Sequence, residues 1–345
     1  MRAIAGVFGL GLLLAVTLVV SLGVGPSGMA PGKVLAVLMQ GPDATPASDL
    51  GASIIVWQIR MPRVLLGALV GASLAVAGAV MQGLFRNPLA DPGLVGVSSG
   101  SALAVVATIV VGDRLLAVGG AGLFGAFIIP AAAFVGGLVA TGTLYGIATR
   151  RGRTSVATML LAGIALAAMA GALTGFFVFL SDDRQLRDIT FWSLGGLGGA
   201  NWQALAVSGP LMLAGILSSL LLARGLNALV LGEAEAFHMG VSVQVLKRCA
   251  VFLVAAATGA AVATSGVIGF VGIVVPHLLR LVIGADHRFL LPASALLGAV
   301  LLLVADMIAR TIAAPAELPI GILTAAIGAP FFLWMLLRRR GHLDL

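Results

Sequence analysis

The sequence predicts an all-α membrane protein with ten transmembrane helices and an inverted internal repeat. Three observations carry that class. The 345 residues are 60% hydrophobic and only 10% charged, against about 25% charged in soluble domains. Apolar stretches long enough to cross a bilayer, about 20 residues at 1.5 Å rise, recur along the whole chain, and the mean hydropathy is +1.14. Cationic residues between these stretches fall unequally on two sides. The 47 glycines suit helices that pack closely through small residues. The single Cys249 excludes an intrachain disulfide and a cysteine-based metal cluster.

The candidate spans are 3–24, 64–85, 94–111, 122–147, 155–180, 203–223, 249–265, 267–284, 289–308 and 319–337. An even number puts both termini on one side, and the positive-inside rule makes that side cytoplasmic. Arg2, Arg86, Arg150, Arg151, Arg153, Arg224, Lys247, Arg248, Arg280, Arg288 and Arg338 to Arg340 then lie inside. Lys33, Arg60, Arg63, Arg114, Arg184, Arg187 and Arg310 lie outside. The basic excess is therefore orientation signal, not a nucleic-acid surface. The first apolar run is too long for a signal-peptide core and is expected to remain as the first span. Residues 1–345 read as one transmembrane domain, whose longest external connection, 26–58, is interrupted by Pro26, Pro31, Pro42 and Pro46.

Between spans two and three, residues 86–98 read Arg-Asn-Pro-Leu-Ala-Asp-Pro-Gly-Leu-Val-Gly-Val-Ser. Pro88 and Pro92 forbid a continuous helix, and Asn87 and Asp91 can cap freed backbone donors. A rigid inner hairpin results, with a gating role for Asn87, Pro88 and Leu89. Before span five, Thr154 or Ser155 is expected to cap the helix, and the same pair is a second gate candidate. Residues 181–202 predict a short helix at the outer interface, ended by glycines, with Trp192 and Trp202 at headgroup depth.

A polar insert, Gly232, Glu233, Ala234, Glu235, Ala236, Phe237, His238, Met239 and Gly240, interrupts the apolar pattern on the inner side. Its acids disfavour an anionic lipid surface, and its small residues allow close approach by another protein. His238 lacks neighbouring ligands and is expected to make polar contacts instead of holding metal. At the outer side, Arg60, Arg63 and Arg310 run against the positive-inside trend. They read either as interfacial anchors or as a basic rim for an acidic partner; Asp306 stands four residues before Arg310 and can pair with it.

Gly71-Ala-Ser-Leu-Ala-Val-Ala-Gly78 aligns with Gly259-Ala-Ala-Val-Ala-Thr-Ser-Gly266, pairing the second span with the seventh. Five spans of separation reverses orientation, as in inverted-repeat transporters. A shifted register aligns Ser101-Ala-Leu through Asp113 with Ser294-Ala-Leu through Asp306. An ion-coupled carrier would place acids at mid-membrane, and few are present. An intramembrane enzyme would need convergent nucleophile, base or metal ligands, which four scattered histidines and one cysteine do not supply. No phosphate-binding Gly-x-x-x-x-Gly-Lys-Ser/Thr run occurs, so any ATP hydrolysis belongs to another chain.

Several motifs run through nearly the whole chain: Arg60-Met-Pro-Arg63, Gly78-Ala-Val-Met-Gln82, Arg86-Asn-Pro-Leu-Ala-Asp-Pro92, Gly269-Phe-Val-Gly-Ile-Val-Val-Pro-His-Leu-Leu-Arg280, Asp286-His-Arg288 and Glu317-Leu-Pro-Ile-Gly321. With them the chain resembles the ten-span permeases of binding-protein-dependent ABC importers for iron chelates, heme and vitamin B12, and in the 185–195 and 232–241 stretches it is most similar to the heme-importing branch. The resemblance implies a homodimer in the bacterial inner membrane, two cytoplasmic ABC ATPase subunits carrying ATP and Mg, and a periplasmic substrate-binding protein. It implies that the 232–240 insert couples to the ATPase, with Asp286, His287 and Arg288 near that contact. It also implies that Arg60, Arg63 and Arg310 meet acids of the binding protein, and that the inner gates match Asn87 to Leu89 and Thr154 to Ser155. No cofactor of the chain's own and no metal are expected. Siderophore or vitamin B12 cargo is the alternative within the family.

Overall fold

The computed structural model describes residues 2–25, 28–42, 49–116 and 125–340. Pro26 and Pro46 lie outside this set, as do the side chains of Arg2, Arg114 and Arg338 to Arg340. The molecule is helical almost throughout. Its helices are α1 (Arg2–Gly23), α2 (Pro31–Gln40), α3 (Leu50–Ser53), α4 (Met61–Leu84), α5 (Val97–Leu116), α6 (Gly125–Ala148), α7 (Val156–Phe179) and α8 (Asp183–Leu194), followed by α9 (Trp202–Leu220), α10 (Ala223–Val230), α11 (Glu233–His238), α12 (Val243–Ser265), α13 (Val271–Ile283), α14 (His287–Ile312) and α15 (Ile320–Arg340). A two-residue hairpin pairs β1 (Thr149–Arg150) with β2 (Arg153–Thr154).

Among the described residues, seven helices are long and apolar enough to cross a membrane. Shorter apolar helices cover Val97–Gly112, Val271–Ile283 and Ile320–Met335. Each of the ten candidate spans falls on one of these helices. The connection at 26–58 does not behave as an irregular loop. Pro31 opens α2 instead of breaking it, because a proline at the first helical turn gives up no hydrogen bond. Helix α3 runs through a π-helical stretch, Ile54–Arg60, straight into α4.

Helix α4 is the central post: 83% of its apolar window is buried, against 6% for α1 and 17% for α7. Lipid tails are as apolar as leucine, so burial itself gives little drive and close van der Waals packing must hold the bundle. The glycines supply it. A Cβ at Gly78 would overlap the Gly272 carbonyl of α13, and one at Gly71 would overlap the Gly298 carbonyl of α14. Larger side chains fill the layers between, with Leu66, Met81, Leu144, Met159, Met212, Leu290 and Leu302 all fully enclosed.

The eighth apolar segment is helical for only part of its depth. Residues Gly266 to Phe270 are non-helical, Phe270 has φ 68°, and α13 starts at Val271 beside Gly78. Thirteen residues of α13 rise only about 20 Å, less than the roughly 30 Å hydrocarbon core. Carbonyls of the irregular stretch find partners in the next helix: Gly269 O accepts the Val271 N–H at 2.9 Å, and Phe270 O accepts those of Ile273 and Val274 at 3.0 and 2.9 Å.

The repeat is partly revised. Gly71–Gly78 and Gly259–Gly266 begin within α4 and α12, as aligned. Ser101, however, is on α5, the next crossing after α4, whereas Ser294 is on α14, two apolar helices after α12. Those segments are six candidate spans apart, so on the expected topology they share one orientation and the shifted alignment falls outside an inverted repeat.

Candidate functional site

The expected inner end of the bundle gathers three elements around one cation. Helix α11 begins at Gly232, whose φ of 130° lets the chain turn sharply out of α10. Ala236 is fully buried and pins α11 to the bundle, while Phe237 and Met239 are 70% and 62% exposed. A partner surface would therefore meet Ala234, Phe237, His238 and Met239, not Ala236. The Phe237 and His238 rings stand edge to face at 6.1 Å. Glu233 Oε1 accepts a hydrogen bond from Lys247 Nζ at 2.7 Å, and Lys247 is 2% exposed. The same ammonium donates to Thr154 O at 2.9 Å. Sequence reasoning counted Lys247 only as an orientation charge.

Thr154 ends a hairpin that the sequence reading missed. Arg151 and Gly152 have φ of 51° and 75°, the two positive angles a tight two-residue hairpin turn requires. The Arg-Gly pair between two β-compatible threonines was the available signal. Thr154 N donates to Gln244 Oε1 at 2.9 Å, and the Thr149 and Thr154 hydroxyls are 3.0 Å apart. Of the two expected caps, Ser155 is the one used, accepting from Thr158 N–H at 3.2 Å. Asn87 Oδ1 takes the Leu89 N–H and Asp91 Oδ1 takes the Gly93 N–H, which makes the 86–96 connection a chain of local caps around Pro88 and Pro92. Enclosure raises the Asp91 carboxyl above its ordinary range, partly opposed by the Gly93 N–H.

Asp286 and Arg288 are exposed beside this end, but His287 is 1% exposed. The His287 side chain is therefore internal and cannot itself meet a partner surface. Asn227 of α10 ties it in: Nδ2 donates to Asp286 Oδ1 at 2.6 Å, and Oδ1 accepts the His287 N–H at 2.9 Å with His287 Nδ1 at 2.8 Å. The Arg288 N–H, followed by the Asn227 amide, holds the Asp286 carboxyl below its ordinary range. Arg280 donates to Gln82 Oε1, and Gln82 Nε2 reaches Gly272 O at 3.0 Å.

At the opposite end the three expected docking arginines are not a free rim. Arg60, Arg63 and Arg310 are 4%, 8% and 3% exposed. Arg63 donates from Nε and Nη2 to Asp306 Oδ1 at 3.0 and 2.8 Å, and from Nη1 to Glu317 Oε1 at 2.8 Å. Arg310 donates to Ser21 O at 2.8 Å, with its Nε 3.4 Å from Asp306 Oδ2. Arg60 reaches Leu22 O and Gly23 O at 2.6 and 2.8 Å. The last carbonyls of α1 carry partial negative charge without helical partners, which explains why two guanidiniums converge there. Glu317 is 44% exposed and borders an outer cavity of about 320 Å³ lined by Arg63, Trp192, Gly195 to Gly199 and Ser265. Next to it α8 forms as expected, opened by an Asp182–Gln185 capping box and closed at Gly195.

Comparison with known proteins follows the same lines. The FecCD transport family profile matches residues 13–338. The chain is 51% identical over 286 residues to the hemin transport system permease HmuU of Yersinia pestis, covering 83% of this chain and 84% of that one. It is 46% identical over 285 residues to the cobalamin import permease BtuC of Halobacterium salinarum, covering 83% and 74%. The vitamin B12 permease BtuC of Klebsiella pneumoniae subsp. pneumoniae is 41% identical over 339 residues, covering 97% and 94%. A solved structure of a metal-chelate type ABC transporter in an inward-facing conformation superposes with a TM-score of 0.83 at 34% identity, covering 96% of this chain and 98% of that one.

Proposed function

The chain belongs to the FecCD transport family and is the permease of an ABC importer, a multi-pass transport subunit that is not itself catalytic; on that premise we propose that its cargo is hemin or a related iron chelate. The observation that carries the cargo is the 51% identity to the hemin permease, higher than the 46% and 41% to the cobalamin and vitamin B12 permeases.

The working unit on this reading is a homodimer in the bacterial inner membrane, each copy a single ten-span domain over 1–345 with both termini cytoplasmic. The repeat that begins in α4 and α12 is inverted. A second copy covers α7, whose Leu161, Ile164, Phe176 and Phe179 are 70%, 65%, 57% and 84% exposed. Small residues on the same helix, Gly171 and Gly175, have nothing within 4 Å of a built Cβ and suit a wide, weakly binding passage. Gly232 to Gly240, with Asp286, His287 and Arg288 behind it, engages the ATPase, which carries ATP and Mg. Asn87, Pro88, Leu89, Thr154 and Ser155 border the inner exit.

Arg60, Arg63 and Arg310 receive the periplasmic binding protein from beneath the surface. Arg63 and Arg310 meet the carboxylates Asp306 and Glu317, and Arg60 on the α1 carbonyls adds a third cation, so the cluster keeps an excess of positive charge. Glu317, at the rim, is the carboxylate an incoming acid would displace from Arg63. Replacing Arg63 with Ala should weaken docking in a salt-dependent way; unchanged affinity at low salt would remove the assignment.

The deciding experiment measures ATP hydrolysis by the reconstituted complex with its binding protein. Hemin should stimulate it, and cobalamin and a ferric siderophore should not. Stimulation by cobalamin alone would reassign the cargo within the family. Accumulation of solute by the permease alone, driven by an ion gradient, would refute the ABC mechanism itself.

A further inference from the structure

We infer that Lys247 is the positioning residue through which movement of α11 reaches the 149–154 hairpin. The inference rests on the reading that α11 meets the ATPase and that the hairpin borders the inner exit. Lys247 is rooted in α12, and its ammonium joins one acceptor from each of the other two elements: Glu233 Oε1 at 2.7 Å and Thr154 O at 2.9 Å. At 2% exposure there is no bulk water to replace a lost acceptor, and an unpaired buried ammonium is costly.

The junction is directional. Gln244, one turn before Lys247, takes the Thr154 N–H at 2.9 Å, so one face of α12 holds both backbone groups of Thr154. Ser155 follows immediately as the cap of α7. Glu233, by contrast, is 44% exposed on its side chain, and Lys247 uses only its Oε1. A donor on the ATPase can therefore engage Glu233 while the inner bond persists. A shift of α11 then carries Lys247 and Thr154 with it, or leaves the ammonium short of an acceptor; either outcome changes the energy of the hairpin. An ammonium with three rotatable donors suits such a joint better than a fixed contact between apolar groups.

The test uses the complete importer in liposomes, with Cys249→Ser and Arg153→Cys giving one reporter thiol per permease copy, on the exposed hairpin, read on the permease band. Labelling by a membrane-impermeant maleimide is compared without nucleotide and with ATP plus vanadate. With Lys247 present, nucleotide should change the labelling rate by at least about fivefold, the lower end of typical coupling factors. Lys247→Met should reduce that change to within about twofold while the ATPase still copurifies, and Lys247→Arg should restore most of it. A full nucleotide response in Lys247→Met overturns the inference. Should Lys247→Met fail to assemble, Glu233→Gln weakens the same joint from its outer side; an undiminished response there overturns it equally. The underlying reading fails separately. If Phe237→Asp leaves ATPase association intact, α11 is not the docking element. If the parent shows no nucleotide response, the hairpin is not the gate. The inference falls with either.

Discussion

Asp306 is wholly enclosed, and it is the counter-charge that lets Arg63 and Arg310 exist inside the bundle. Removing one member of a buried ionic group leaves the others unpaired, typically at about 3–5 kcal/mol. Asp306→Asn should lower the thermal stability of the detergent-solubilised protein by that order, whereas Lys33→Ala, which breaks the exposed Lys33–Asp49 pair at 3.0 Å, should cost less than about 1 kcal/mol. Gly78 makes a second residue-scale case. Gly78→Ala drives a methyl into the Gly272 backbone, which cannot give way as a flexible side chain can, and overpacking of this kind costs about 1–3 kcal/mol or more. Gly142→Ala is the matched control in α6: nothing lies within 4 Å of its Cβ, so the helix should gain about 0.5–1 kcal/mol. Equal losses at both positions in a thermal melt would contradict the packing described here.

At the scale of elements, the hydropathy of the sequence located the apolar helices well but not what joins them. Each of the ten apolar runs carries a helix among the described residues, the eighth only from Val271 onward, because length and hydropathy are local properties. The partners of Arg63 lie 243 and 254 residues away, and no local pattern announces them; that is why the arginines read as an outer rim and turned out to be enclosed. Lys247 was hidden for the same reason, its acceptor Thr154 being 93 residues distant. Helix α2 was missed for a different reason: four prolines suggested a broken loop, yet the one at position 31 occupies a first turn where it is harmless. Caps were the most legible feature, with Ser155, Asn87 and Asp91 all engaged near their own positions. Asp286 caps α14 and also receives Asn227 of α10. Asp286→Ala should therefore destabilise by about 1 kcal/mol and loosen the α10–α14 contact, as read by faster amide exchange in α10. Because its carboxyl titrates below the ordinary range when folded, its stabilising effect is present above an ordinary carboxylate pKa near 3.8 and disappears as acid titrates the folded group. Wild type and variant should thus converge in stability at low pH.

For the whole molecule, burial is distributed very unevenly, from 83% of the α4 window to 17% of the α7 window. Helix α4 is locked to α13 and α14 by glycine contacts that leave no room to rotate, so these three move together. Helix α7 keeps large apolar side chains exposed along its length. Cross-linking of a cysteine at Ile164 should trap a two-copy species in membranes, and Leu161→Lys added to that variant should abolish it; a particle mass of one chain for the wild type in mild detergent would contradict the dimer. The fold and the family were readable from composition and motifs spread over the chain, whereas the internal joints needed coordinates.

The short coil from Gly266 to Phe270 gives the bundle an articulation that a continuous rod would lack. A tilt of α13 against α12 is absorbed by the torsions of five residues and ruptures no i to i−4 bond. The locked trio can therefore swing as one lever, with its pivot already built beside the outer cavity and no ladder to melt on each stroke.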